Sequence, residues 1–574
     1  MLKIIAHIIL GILIVPILTA QVNVVGPQAV VNPYLYNTTK NATVRNAAVV
    51  CAHPLAAKVG KAILLLGGNA FDAAIATQLA LAVVYPQAGN IGGGGFMVAR
   101  TAQGKAIALD YRETAPAAAY TNMYLDSTGK ALTELSQNGH LASGVPGSIA
   151  GMYATLPYAK LPWGTLVQPA IDLAFHGFSI TQTEAGNLNA LHAALIKYNT
   201  QPSAFEKSTP WKAGDTLVQA QLAAVLTRVR DNGARGFYEG TTAALIVAEM
   251  QRGKGIITLT DLAKYTPKLR TPITFTYKKD YTIITMPPPS SGGILLTQML
   301  HMLDGRLTPN IRHNSAEYIQ LVTEVERRAY ADRAAHLGDA DFYNVPIATL
   351  ISKDYAKSRM LDYIPNQAQK SSNIQAGIIG QVSEETTHIS ILDAQGNMVS
   401  VTTTLNGSYG SKTVVGGAGF FLNNEMDDFS IKPGVANMYG AVGGIANSIQ
   451  PYKRMLSSMT PTLVLKRNKP YIVCGTPGGT TIITSVLQTI LNITNFNMTA
   501  QDAVNKPKFH HQWLPDEVYV EKTIPQATIQ AVTKMGYTVT PRGPIGRNEV
   551  IKIIGKNKIE IAADYRGDDA AEGY

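Results

Sequence analysis

QVSEETTHISILDAQGNMVSVTTTLN, residues 381–406, changes character halfway along. HISILD and MVSVTTTLN are rich in β-branched residues and flank the short turn AQGN, so the two runs predict a β-hairpin. Just ahead of the first strand, Thr386 and Thr387 follow two glutamates. A threonine hydroxyl is a weak nucleophile that needs a base within hydrogen-bond reach. His388 shares a strand face with Thr386 but lies about 6.5 Å along it, too far for direct contact, and is read as a packing or supporting residue. A cut between Glu385 and Thr386 would create the missing base, because the freed α-amine titrates at about 7.7–8.0. Such a cut is chemically reasonable: the Thr386 hydroxyl attacks the Glu385 carbonyl, the chain shifts to an ester, and water releases a new N-terminal threonine. On its own the ETTH junction reads more simply as the start of a strand, so its surroundings decide.

At 574 residues the chain is longer than one hydrophobic core usually organises, which predicts two lobes or one enlarged α/β domain. It is 46% hydrophobic and 15% charged, with 50 glycines and 30 prolines, as in an ordered enzyme with many tight turns. The net charge of +10 includes no block of lysine and arginine interleaved with aromatics, which argues against nucleic-acid binding. Cys51 and Cys474 show no CxxC spacing and are read as structural, whether as two buried thiols or as one disulfide. The first twenty residues carry an early Lys3, an aliphatic run broken by Pro16 and a small Ala20, the pattern of a cleavable secretory signal. An uncleaved N-terminal anchor is the competing reading. Residues 21–46 read as an irregular leader.

HPLAAKVGKAILLLGGN predicts a helix with Pro54 in its first turn and Gly67–Gly68 at its stop. NAFDAAIATQLALAVVYP predicts a second helix, capped by Asn69, ended before Pro86 and buried because it is apolar nearly all round. The run Gly92–Gly95 has neither a following GK[ST] nor a helix start, so it is read as close backbone packing rather than a phosphate cradle. Residues 150–270 are mainly helical in pattern. A long amphipathic helix is expected from a capping Asn314, and residues 340–385 turn polar and loop-like, as a linker or exposed segment. Past the hairpin, TPTLVLK and PYIVCG read as strands and TIITSVLQTIL as a helix. A helix-rich first part joined to a strand-rich second part predicts layered α/β architecture.

In TTHISILDAQGNMVSVTTTLNGSYG, NNEMDDFSIKPG, MLSSMTPT and GTPGGTTIITSVLQ the chain resembles the γ-glutamyltransferase family of N-terminal nucleophile hydrolases. GGNAFDAA, YPQAGNIGGGGFM, DYRETAP, ASGVPGSIAGM and MPPPSSGG extend the resemblance over nearly all of residues 47–574. It implies an αββα four-layer sandwich built jointly by a large subunit, 47–385, and a small subunit, 386–574, with Thr386 as the catalytic nucleophile at the end of a central strand. It also implies that Arg112 in DYRETAP holds a substrate α-carboxylate with help from Ser457 and Ser458, a job suited to its planar fork. Glu425, Asp428 and Asn406 are expected to receive the α-ammonium, while Asp427 is read as structural. Thr404 would hydrogen-bond the nucleophile and assist maturation, and Thr387 and Thr402 are strand residues. Tyr439 would belong to a lid over the pocket. The amides of Gly478 and Gly479 are suited to meet an oxyanion, since glycine lets the backbone approach closely. Two departures from the family pattern bear on acceptor preference: Glu425 stands where some members have Gln, and Ile445 and Ile449 sit in an otherwise polar lid region.

The expected activity is therefore that of a self-processing γ-glutamyltransferase acting on glutathione and related amides, with water, amino acids or peptides as acceptors. No metal or organic cofactor is expected, since no His/Cys/Asp cluster has metal spacing. The expected partners are small-molecule substrates and the two subunits of one precursor, and the expected location is the periplasm or the extracellular space. Two alternatives are a glutaryl or cephalosporin acylase of the same fold and a processed, inactive homologue serving as a binding protein.

Overall fold

The hairpin forms as expected: Thr387–Leu392 and Met398–Thr404 pair antiparallel, with Thr387 opposite Thr403 and Leu392 opposite Met398. The computed structural model describes residues 22–23, 30–374, 387–432, 435, 438 and 444–574. Glu385, Thr386 and Tyr439 lie outside the described residues, as do the first twenty residues and most of the leader.

The hairpin sits inside a seven-stranded sheet ordered Ala570–Gly573, Ala48–Cys51, Thr387–Leu392, Met398–Thr404, Gly94–Arg100, Ala106–Asp110, Lys268–Arg270. A second seven-stranded sheet runs Ile273–Tyr277, Tyr281–Thr285, Thr462–Lys466, Lys469–Gly475, Glu549–Gly555, Lys558–Ala563, Asn41–Val44. Each sheet takes strands from both sides of residue 386. The helix-rich first part and the strand-rich second part are thus joined through both sheets.

Alternation along the strands explains the layers. Ile389, Ile391, Val399 and Val401 join Val49, Cys51, Met97 and Ala99 in a core shared with the helices Pro54–Leu65, Ala70–Val84 and Trp163–His176. Ala48, Val50, Phe96 and Val98 point the other way, into a core with Ile283, Val464, Val473 and Ile551 of the second sheet and the helices Gly292–Leu303, Ala316–His336 and Thr481–Thr494. The order is helix, sheet, sheet, helix, the expected four-layer α/β sandwich. On the even-numbered face of the hairpin His388, Ser390, Ser400, Thr402 and Thr404 are polar, and an alternating antiparallel strand usually turns such a face to water. Here that face is buried between the sheets: Ser390 Oγ donates to the Glu549 carbonyl at 2.9 Å and Ser400 Oγ to the Cys474 carbonyl at 3.1 Å. Buried polar groups must be partnered, and the facing sheet supplies the acceptors. His388 lies in this layer, its Nδ1 2.9 Å from Thr402 Oγ1, and burial holds its imidazole at about 3, hence neutral.

Local signals set the helix starts. His53 caps Pro54–Leu65, and Asn69 and Asp72 form a reciprocal capping box at Ala70–Val84, every residue of which is buried. The long helix Ala316–His336 departs from expectation twice. Its cap is Ser315, whose side chain accepts from the Tyr318 amide, whereas Asn314 has φ 53°. It is also buried from Tyr318 to Ala334 rather than exposing a polar face, because its charges find partners inside, as Arg328 Nη1 does with Glu324 Oε2 at 2.6 Å. Residues 340–374 are looped apart from the short helices Ile347–Leu350 and Lys353–Ser358. Both cysteines are free and buried, which settles the choice between thiols and a disulfide.

Candidate active site

The C-terminal end of the central hairpin gathers most of the predicted residues. Thr404 ends its strand opposite Gly94, and its Oγ1 accepts from the Asn406 amide at 2.7 Å. Asn406 has φ 70°, which turns the chain back so that its Nδ2 donates to the Asn424 carbonyl at 3.0 Å. Asn424 Oδ1 in turn accepts from the Gly407 amide at 2.9 Å. This clamp fixes the 3-10 turn Glu425–Asp428 beside the strand end. The glycine run has the packing role expected of it: a Cβ on Gly93 would lie 2.0 Å from the Thr404 carbonyl oxygen, so no other residue fits there.

Arg112 follows the strand Ala106–Asp110 and is wholly buried. Its Nη1 lies 2.5 Å from Glu425 Oε2 and its Nη2 is ion-paired with Asp428. Glu113 Oε2 is 3.5 Å away, and the Met455 carbonyl accepts from Nε at 3.3 Å. One guanidinium and three carboxylates thus share a solvent-free knot, in which the attraction between opposite charges is strong and separation of the partners is costly. Ser457 and Ser458 come directly after this contact, also buried. Ser458 Oγ accepts from Arg333 Nη2 at 2.7 Å, and the Ser457 carbonyl accepts from the Ser291 amide at 2.7 Å, so a buried arginine and the MPPPSSGG stretch hold the pair.

Gly478 and Gly479 have φ 135° and 67°, conformations that favour glycine, and stand just before the helix Thr481–Thr494. Their amides donate to no other described residue. A cavity of about 190 Å³ opens beside them, with Tyr85, Gln87, Asn406, Pro477, Gly478 and Arg547 in its wall.

The structure therefore brings Arg112, Thr404, Asn406, Glu425 and Asp428 together through contacts, and joins Asn406 to Gly478 across one cavity. Asp427 turns away, accepting from Ser136 Oγ at 2.5 Å and from the Met438 amide at 3.1 Å. Ile449 is buried, whereas Ile445 is exposed. Glu113, Tyr85, Gln87 and Arg547 were not singled out from the sequence. Glu113 had a signal, adjacency to Arg112 in DYRETAP, but Arg547 sits far along the chain and meets the site only through the fold. Among the described residues no group of three or more His, Cys, Asp or Glu is placed to hold a metal ion.

Glu184 lies under the same loop, accepting from the Tyr409 hydroxyl at 2.9 Å. Burial lifts its carboxyl to about 7 from an ordinary value of 4.5. A carboxyl raised in the fold contributes stability that is present at low pH and fades as pH climbs from about 4.5 to about 7. Glu184→Gln removes that dependence. In urea unfolding, the stability of the variant relative to the parent is expected to rise by about 3 kcal/mol between pH 4.5 and pH 8; a difference independent of pH would refute the assignment.

A gamma-glutamyltranspeptidase family model matches residues 56–574. The chain is 44% identical over 524 residues to the glutathione hydrolase proenzyme of Escherichia coli (strain K12), which covers 90% of each chain. Among solved structures, it is similar to cephalosporin acylase from Bacillus halodurans, with a TM-score of 0.83, 25% identity and coverage of 96% of this chain and 99% of that one. It is also similar to Helicobacter pylori gamma-glutamyltranspeptidase, with a TM-score of 0.54, 41% identity and coverage of 60% of this chain and 97% of that one.

Proposed function

The chain belongs to the gamma-glutamyltranspeptidase family, and on that premise we propose that it is a self-processing γ-glutamyltransferase that hydrolyses glutathione and related γ-glutamyl amides. The bond between Glu385 and Thr386 is cut to leave a large subunit, 47–385, and a small subunit, 386–574, which stay together as a heterodimer. The new α-amine of Thr386 takes the proton of its own hydroxyl, and the hydroxyl oxygen attacks the γ-carbonyl. The amides of Gly478 and Gly479 meet the oxyanion, Thr404 orients the nucleophile, and Tyr439 belongs to a lid that keeps bulk water off the ester. The amine half leaves, and water, an amino acid or a peptide takes the acyl group. No metal or organic cofactor enters this scheme. The N-terminal segment supports export to the periplasm or the extracellular space; among the described residues no helix is long and apolar enough to cross a membrane.

One observation carries the substrate class: the Arg112 knot with Glu425 and Asp428. A γ-glutamyl donor brings an α-carboxylate and an α-ammonium to this spot. Arg112, helped by Ser457 and Ser458, can pass to the substrate carboxylate while Glu425, Asp428 and Asn406 receive the ammonium, so every buried charge keeps an opposite partner. A glutaryl group brings the carboxylate alone and offers the two acids no ammonium in exchange for the guanidinium they give up. The knot thus favours γ-glutamyl donors over the acylase chemistry named for the Bacillus halodurans neighbour.

The test is a denaturing gel of purified protein alongside release of the chromophore from a γ-glutamyl anilide. Two bands, the smaller beginning at Thr386, together with release are expected. An uncut, silent chain sinks the proposal, and release from glutaryl compounds alone transfers it to the acylases.

A further inference from the structure

The cavity of about 190 Å³ lies on the Gly478 side of the site, and Arg112 does not line it. Of its lining residues Arg547 is the one cation, and none is acidic. Resting on the γ-glutamyl-transfer reading above, we propose that this cavity receives the amine half of the reaction, the leaving group and then the acceptor, and that Arg547 is a specificity residue that binds its carboxylate.

The γ-carbonyl must lie against the glycine amides while the α-carboxylate reaches Arg112, so the group on the far side of the scissile amide points away from the Arg112 knot. The open space bordered by Gly478, Pro477 and Asn406 has none of Arg112, Glu425 and Asp428 in its wall. Its size suits an amino acid or a short peptide rather than a larger ligand. Every such amine carries a carboxylate, and a guanidinium is the side chain whose paired donors fit one.

Arg547 is held in place for this role. Its backbone amide donates at 2.7 Å to Thr476 Oγ1, two residues before Gly478, which ties it to the glycine turn. Gly546 beside it has φ 70°, and a Cβ there would lie 2.6 Å from Ser485 Oγ, so the chain passes the turn at close range. Arg547 Nη2 donates to the Tyr85 hydroxyl at 2.9 Å and lies 3.3 Å from Asp569 Oδ1, which steadies the group from behind. Its buried Nε has no hydrogen-bond partner among the described residues.

The experiment compares two acceptors that differ only at their C-terminus, glycylglycine and glycylglycinamide, with a γ-glutamyl anilide as donor to the cut enzyme. The parent is expected to show a KM for the amide about tenfold above that for the acid. In Arg547→Gln the ratio should fall close to one, and in Arg547→Lys it should fall at least threefold, because the charge remains without the fork. A merely structural residue would move both acceptors together and leave the ratio alone. Equal KM values in the parent overturn the proposal without any variant, as does a ratio unchanged in Arg547→Lys or Arg547→Gln. Absence of any anilide cleavage by the parent would instead remove the underlying reading along with it.

Discussion

Thr386→Ala is expected to give a single uncut band on a denaturing gel and to release chromophore from a γ-glutamyl anilide on the order of 10⁴- to 10⁶-fold more slowly than the parent, the size of loss seen when a covalent nucleophile is removed. Both effects have one cause. In the proposed scheme the hydroxyl that attacks the Glu385 carbonyl during maturation is the one that attacks the γ-carbonyl during turnover, and the cut supplies the amine that serves as its base. Thr386→Ser keeps the oxygen and should be cut, though more slowly, and should retain measurable turnover. Mass spectrometry of the small fragment gives the decisive readout. A Thr386→Ala chain that still appears as two pieces starting at residue 386 would contradict the mechanism, because no other group in the scheme can attack that carbonyl.

The second large effect is expected at Arg112. Arg112→Gln strips the guanidinium from a buried knot that holds Glu425, Asp428 and Glu113. Removing one partner of a buried ion pair costs about 3–5 kcal/mol, because the charge left behind stays desolvated. Arg112→Lys separates stability from recognition. It restores a positive charge and should recover much of the lost stability, yet it cannot offer two parallel donors to the substrate carboxylate. Its KM for a γ-glutamyl donor should still rise on the order of 100-fold. A lysine variant with the parental KM would show that Arg112 serves the fold alone.

Much of this was legible from the residues in order. Pro54 and Asn69 announced two helices by the chemistry of their first turns, and the hairpin around AQGN formed as expected. The four layers were less plain, because HISILD looks half-exposed until a second sheet is known to cover Ser390 and Ser400. The helix from Ala316 misled for the same reason: periodicity treats Glu324 and Arg328 as solvent groups, and only the fold shows them paired inside. Motif order in the sequence pointed to Arg112, Glu425 and Asp428, but not to their contact, which arises because the Asn406–Asn424 clamp swings the acidic turn onto the strand exit. Arg547 carried no local signal. Its place beside Gly478 exists only once Thr476 holds it there.

The interleaving of strands from the two sides of residue 386 governs what a break there would do. Thr387–Leu392 lies between Ala48–Cys51 and Met398–Thr404, and Asn41–Val44 closes the second sheet against Lys558–Ala563. Neither fragment owns a complete sheet, so neither has a fold to return to when alone. A chain nicked there is therefore expected to stay together on dilution and to melt in a single transition. Fragments made in separate cells would have to acquire structure and partner in the same event.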